Sequence, residues 1–102
     1  MSPTARSLKH LREQGYLAEV VERWIPGANI RKDLFGFVDI VAIRGSERLC
    51  VQTTSGSNVS ARVKKIAEHE NLSAVQRAGF SIAVHGWRKS AAGRWQLRVV
   101  EL

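Results

Sequence analysis

The run Phe37-Val38-Asp39-Ile40-Val41-Ala42-Ile43 constrains the fold more than any other stretch of the chain. A segment this apolar, set within the longer run Leu34 to Ile43, reads as a β-strand covered on both faces. It therefore calls for a sheet with a layer packed on each side. Asp39 sits inside it. Burying a carboxylate costs several kcal/mol unless it is paired, hydrogen-bonded or bound to a metal. Two readings follow: Asp39 is a functional ligand, or it is a strand-end residue capping a neighbouring loop.

The flanking pattern supplies the rest of the sheet and its cover. Ser2-Pro3 reads as an N-cap followed by proline at the first helical position, and Ala5, Leu8 and Leu11 recur at helical spacing until Gly15. Tyr16 to Ile25 is β-rich and ends at the Pro26-Gly27 turn. After the central strand, Arg44-Gly45-Ser46-Glu47 turns into a strand from Leu49 to Thr54, closed by Ser55-Gly56-Ser57-Asn58. Ser57 or Asn58 is placed to cap a helix whose apolar stripe is Val59, Val63, Ile66 and Ala67. A second stripe, Leu72, Val75 and Ala78, is out of phase with it, which predicts a break near His69 to Asn71. Phe80 to Trp87 and Trp95 to Leu102 read as two further strands around the Ser90 to Gly93 turn. The expected fold is α/β: one domain over residues 1–102, in the order α-β-β-β-α-β-β, with a mixed sheet of about five strands flanked by helices. The helical crossover between the third and fourth strands favours a parallel pairing there.

Composition narrows the function classes. No apolar run approaches the roughly 20 residues of a membrane helix, and no apolar stretch follows Arg6 and Lys9 as in a secretory signal. The lone Cys50 excludes an intrachain disulfide and a Cys-rich zinc site, and it reads as a buried, reduced thiol in a cytoplasmic protein. Sixteen Lys and Arg against nine Asp and Glu leave a net charge of +7. That excess favours a polyanionic partner, nucleic acid first, because each phosphate contact releases condensed counterions.

Register arithmetic then groups Asp39 with other polar residues. If Gly45-Ser46 is a two-residue hairpin loop, as a Gly-first pair favours, Arg44 faces Glu47, Ile43 faces Arg48, and Asp39 faces Gln52. Opposed residues in an antiparallel pair share a face, with Cβ atoms about 5 Å apart. Thr54, two residues beyond Gln52, points the same way. Asp39, Gln52 and Thr54 are thus expected to converge.

The succession of Gly36-Phe37-Val38-Asp39-Ile40-Val41-Ala42, a hairpin, a strand ending in Gln52-Thr53-Thr54, and a helix rich in Arg and Lys resembles the PD-(D/E)XK nuclease superfamily. Archaeal Holliday-junction resolvases and VRR-NUC domains look closest. The resemblance implies a restriction-endonuclease-like fold and a metal-dependent endonuclease acting on the phosphodiester backbone of DNA. Asp39 would be a metal ligand and Gln52 the second, with Mg²⁺ or Mn²⁺ as cofactor. Thr54 falls where the family carries its catalytic Lys, and Lys65 or its neighbour Lys64 is the candidate replacement. The family's Glu in the first helix has no match in Thr4-Ala5-Arg6-Ser7; Glu19 or Glu22 is the nearest acid able to swing in. The alternative is a catalytically degraded nucleic-acid-binding or assembly module with the same fold. A homodimer is expected if the substrate is a junction.

Arg62, Lys65 and His69 recur at helical spacing opposite the apolar stripe. With Lys64 they form an expected basic ridge beside the turn, where Ser55 and Asn58 are placed to contact a phosphate. Arg31 and Lys32 precede the central strand and are candidates for the same substrate. Arg88, Lys89, Arg94 and Arg98 cluster around the last hairpin. Trp24, Trp87 and Trp95 read as packing on sheet edges, or as stacking platforms for bases. His10 and His85 have no partner at metal spacing, so zinc is not expected.

Overall fold

The computed structural model describes residues 1–102. Helix α1 (Pro3–Glu13) starts as its cap dictates: the Ser2 hydroxyl accepts from the Ala5 N–H, and Pro3 fills the first turn, where a missing N–H costs nothing. The chain leaves the helix through Gly15, which adopts a left-handed φ of 88°. Strand β1 (Leu17–Val20) then runs antiparallel to β4 (Ile40–Arg44), and β4 turns into β5 (Glu47–Ser55). The turn is the expected two-residue loop, since Arg44 pairs with Glu47 and Ile43 with Arg48. A 3-10 turn (Gly56–Asn58) leads to α2 (Val59–Ala67) and α3 (Leu72–Arg77), separated at the predicted break. Strand β6 (Ser81–Lys89) lies parallel to β5, and β7 (Trp95–Glu101) returns antiparallel to β6. The strand order is β1-β4-β5-β6-β7, a mixed five-stranded sheet with helices on both faces. No helix is long and apolar enough to cross a membrane.

Each face has its own apolar core. Leu11 of α1 packs with Ala18, Ile40, Ala42 and Val51. On the other face Val59 and Ile66 of α2 and Val75 of α3 pack with Phe37, Val38, Cys50, Ile82 and Val84. Adjacent β5 residues thus serve opposite layers, Cys50 toward α2 and Val51 toward α1, as a pleated strand requires. Close packing is tightest at Gly86 of β6, where a Cβ would lie 2.1 Å from Val59 Cγ2. Only glycine lets α2 sit that close to the sheet.

Three expectations from the sequence need correction. Tyr16 to Ile25 is not one strand. The chain breaks at Val21-Glu22 and continues as β2 (Arg23–Ile25), which pairs with β3 (Ile30–Lys32) in a separate two-stranded hairpin. Strand β3 had no burial pattern to betray it, because all three of its residues are exposed. Nor is Leu34 to Ile43 one strand. Leu34 and Val38 close a tight turn through left-handed Phe35 (φ 57°) and Gly36 (φ 89°), and β4 begins only at Ile40. Phe37 and Val38 are apolar because this turn folds them into the α2–α3 core. Finally, His69 lies beyond the end of α2, packed edge-on against Phe37, so it is not part of a helical ridge.

Candidate functional site: an acidic cluster where two strands part

The hairpin register holds from Arg44–Glu47 down to Ile40–Val51 and then slips. The Asp39 N–H donates to the Val51 carbonyl, the residue already paired with Ile40, so two residues on one strand oppose one on the other. That is the count of a β-bulge, which re-aims the side chain it carries. The Asp39 carbonyl turns toward β1 and accepts from the Val21 N–H at 2.8 Å.

The slip redistributes the expected triad. Asp39 Oδ2 accepts from the Thr53 N–H (2.8 Å) and the Thr53 hydroxyl (3.3 Å), so its hydrogen-bonding partner is Thr53, not Gln52. Thr53 in turn bonds Thr4 of α1 at 2.7 Å. Thr4 lies in the stretch of the first helix where the family resemblance leads one to look for an acid. Gln52 points to the α2 face of the sheet, opposite Thr53, as does Thr54, so the expected convergence of Asp39, Gln52 and Thr54 does not form. Gln52 donates from Nε2 to the Phe37 carbonyl at 3.0 Å, and its Oε1 is buried without a partner. Thr54 is buried one residue beyond Thr53.

Around Asp39 the structure gathers acids the register arithmetic did not. Glu22 and Asp33 place carboxylate oxygens so that one atom from each of the three residues lies within 4.8 Å of the others. Glu22 is one of the two acids the sequence offers as able to swing in, and the break after β1 brings it there. Asp33 was missed. It follows β3 in a turn, with no periodicity to relate it to Asp39, and only the closure of Leu34 on Val38 folds it back. Burial is the main reason the Asp39 carboxyl is pushed from its ordinary 3.8 up to about 8. The Thr53 N–H opposes that rise, while the adjacent Asp33 and Glu22 reinforce it. Asp33 acts in part through a side-chain hydrogen bond to Asp39.

This donor set fits a hard divalent cation. Oxygen ligands sit about 2.0–2.6 Å from Mg²⁺ or Ca²⁺, so ligands across the ion from one another are roughly 4–5 Å apart, close to the spread of the three carboxylates. Neither His nor Cys joins them, which disfavours a soft-metal site.

The expected basic residues are dispersed. Arg31 forms a 3.6 Å ion pair with Glu22, and so holds an acid of the cluster rather than standing free; Lys32 is exposed beside it. Lys64 and Lys65 are exposed on α2, in the layer opposite α1, and make no bond with Asp39 or Thr53. Arg62 on the same helix is half-buried. In the turn before α2, Asn58 donates to the Ser55 hydroxyl (3.0 Å), and Ser55 meets Ser57 (3.3 Å), so these side chains satisfy one another and do not cap the helix.

A second polar group lies between α1 and β6. The fully buried Ser7 hydroxyl accepts from the Trp87 indole N–H (2.8 Å) and lies 3.0 Å from His85 Nδ1. Burial, reinforced by nearby His10, drives His85 down to about 4, so it is neutral at physiological pH. With no access to solvent, Ser7 has no route to a substrate. No family model and no curated protein matches the chain.

Proposed function

We propose that this protein is a divalent-cation-dependent endonuclease of the PD-(D/E)XK kind, acting on the phosphodiester backbone of DNA. One observation carries the reading: a buried Asp39 gathers with Glu22 and Asp33, one carboxylate oxygen of each within 4.8 Å of the others, where β4 and β5 separate. In this reading Asp39 anchors the ion, Glu22 and Asp33 complete its carboxylate set, and Arg31 orients Glu22. Gln52 points to the other face of the sheet and is not part of this set. Mg²⁺ or Mn²⁺ bound there supplies an activated water and offsets charge on the phosphate. Thr53 fixes the Asp39 carboxylate through two donors, and Thr4 fixes Thr53. The +7 chain attracts the polyanion.

The second reading, a non-catalytic nucleic-acid-binding or assembly module, is favoured by one observation. The position of the family's catalytic Lys holds Thr54, and neither Lys64 nor Lys65 bonds to the acidic cluster in its place. Incubation with branched, nicked and linear DNA under Mg²⁺ or Mn²⁺ decides between them. Cleavage lost in Asp39→Asn supports the nuclease. DNA binding with no cleavage under either ion overturns it in favour of the module.

A further inference from the structure

We infer that a cavity beside this site holds one unpaired nucleotide of the DNA strand, its base against tryptophan and its phosphate on arginine. The inference deepens the nuclease reading, since it names the part of the substrate that the protein grips. The cavity has a volume of about 510 Å³ and is bounded by Arg6 of α1, Ser57 of the turn, Trp87, Arg88 and Lys89 at the end of β6, and Trp95 of β7. Small-ligand sites span roughly 300–1,000 Å³. It lies beyond the carboxyl ends of the parallel pair β5–β6, where Ser55 stands opposite Trp87. Open sheets bind ligands in that position, because backbone diverges there and leaves a crevice.

Its lining is selective. Three cations face it and no carboxylate does. None of the three forms an ion pair within the chain. The Arg6 guanidinium stacks 3.7 Å from the centroid of the Trp95 ring, and its buried Nε–H has no partner. That stack holds Trp95 in place. Cations alone would take any anion. Cations interleaved with two indoles favour a group carrying both a phosphate and a flat π-face. A paired base is enclosed by its neighbours in the duplex and cannot lie against an indole, so the nucleotide must be unpaired. The cavity is also tied to the acidic cluster: Thr4, between the lining residues Pro3 and Arg6, bonds Thr53, which bonds Asp39.

The test uses the full chain in EDTA, with tryptophan fluorescence read against a single-stranded deoxythymidine oligonucleotide and against the blunt duplex containing it. The single strand should quench the fluorescence and bind about tenfold more tightly than the duplex. Trp95→Ala should weaken single-strand binding by about tenfold, within the range of one base–aromatic stack. Trp95 is 44% exposed, so the melting temperature should hold. Arg88→Glu, at an exposed position, is the second variant and should weaken binding as well. Equal affinity for duplex and single strand, or unchanged binding in both variants, overturns the inference. The two proposals separate cleanly: binding that depends on Trp95 without any cleavage defeats the nuclease reading alone, and cleavage with Trp95-independent binding defeats this one alone.

Discussion

Replacing Asp39 by asparagine should change the shape of the pH–stability curve, because two buried groups titrate in opposite senses. Asp39 rises from 3.8 to about 8 on folding, so between those values the folded state holds a proton that the unfolded state has lost. Its contribution is complete below pH 3.8 and is lost as pH climbs through about 8, at about 1.4 kcal/mol per unit. His85 falls from 6.5 to about 4, so between those values the unfolded state holds the extra proton. Its contribution is complete above pH 6.5 and is lost as pH falls through about 4, with the same slope reversed. The slopes cancel from about pH 4 to 6.5, and the curve should be nearly flat there. From 6.5 to about 8 the Asp39 slope is no longer opposed by His85, and stability should drop by about 2 kcal/mol. For a domain of this size that is a fall of about 8–16 °C in melting temperature. Asp39→Asn should remove the fall and expose the rise due to His85 between pH 4 and 6.5. Saturating Mg²⁺ or Mn²⁺ should also remove the fall in the wild type, since a bound cation favours the ionised carboxylate. Urea unfolding at half-unit pH steps, with EDTA and with each metal, measures all three curves. Parallel profiles for wild type and Asp39→Asn in EDTA would refute the reasoning.

Three further substitutions or probes test the packing. Gly86→Ala should cost at least about 1–3 kcal/mol, because the new methyl meets Val59 Cγ2 at 2.1 Å and the Gly56 backbone at 3.3 Å; an unchanged urea midpoint would contradict this. Ser7→Ala should cost about 1–3 kcal/mol by stranding the Trp87 indole N–H, and the near-ultraviolet circular dichroism of that tryptophan should change with it. Cys50, fully buried with its thiol pushed up to about 11, should react with a disulfide reagent at pH 8 only at the rate of unfolding; immediate labelling of the native protein would count against its burial.

Much of the fold was legible, and the reasons are local. Ser2-Pro3 specifies the start of α1 through its own side chain and ring. A two-residue loop sets a register that the whole β4–β5 pair must follow, so Gly45-Ser46 was enough to pair Ile43 with Arg48. The phase shift between Val59–Ala67 and Leu72–Ala78 marked the helix break. What was not legible depends on chain segments meeting from a distance. The bulge at Asp39 is set by Val21 on one side and Val51 on the other, and it transfers Asp39 from Gln52 to Thr53. Asp33 enters only because Phe35 and Gly36 take left-handed conformations. Arg31 looked like a phosphate contact from its charge alone; its pairing with Glu22 rests on the β2–β3 hairpin, which no burial pattern announced.

The placement of buried polar groups makes the strongest case that this end of the sheet has a purpose beyond stability. Those groups are Ser7, Asp39, Gln52, Thr53, Thr54 and His85. Strand pairing sets Gln52 beside Val84 and Thr53 beside His85, while hydrogen bonds join Asp39 to Thr53 and Ser7 to His85. Ser7, Asp39, Thr53 and His85 share the face covered by α1, while Gln52 and Thr54 lie on the α2 face, all of them toward the carboxyl ends of β5 and β6. The other end of the same strands is built from Leu49, Cys50, Val51, Ile82 and Ala83. Helix α1 shows the same gradient, since its sheet-facing residues run from Thr4 through Ser7 to Leu11. A core assembled for stability alone would be apolar throughout, because every buried polar group must recover its desolvation cost through bonds of good geometry. Here that cost is concentrated beside the carboxylate cluster and the arginine–tryptophan cavity, and two atoms, Gln52 Oε1 and Arg6 Nε, are still left without partners. Arg6 belongs to the lining of the cavity, while Gln52 sits on the α2 face of β5, bonded to the carbonyl of Phe37 two residues before Asp39.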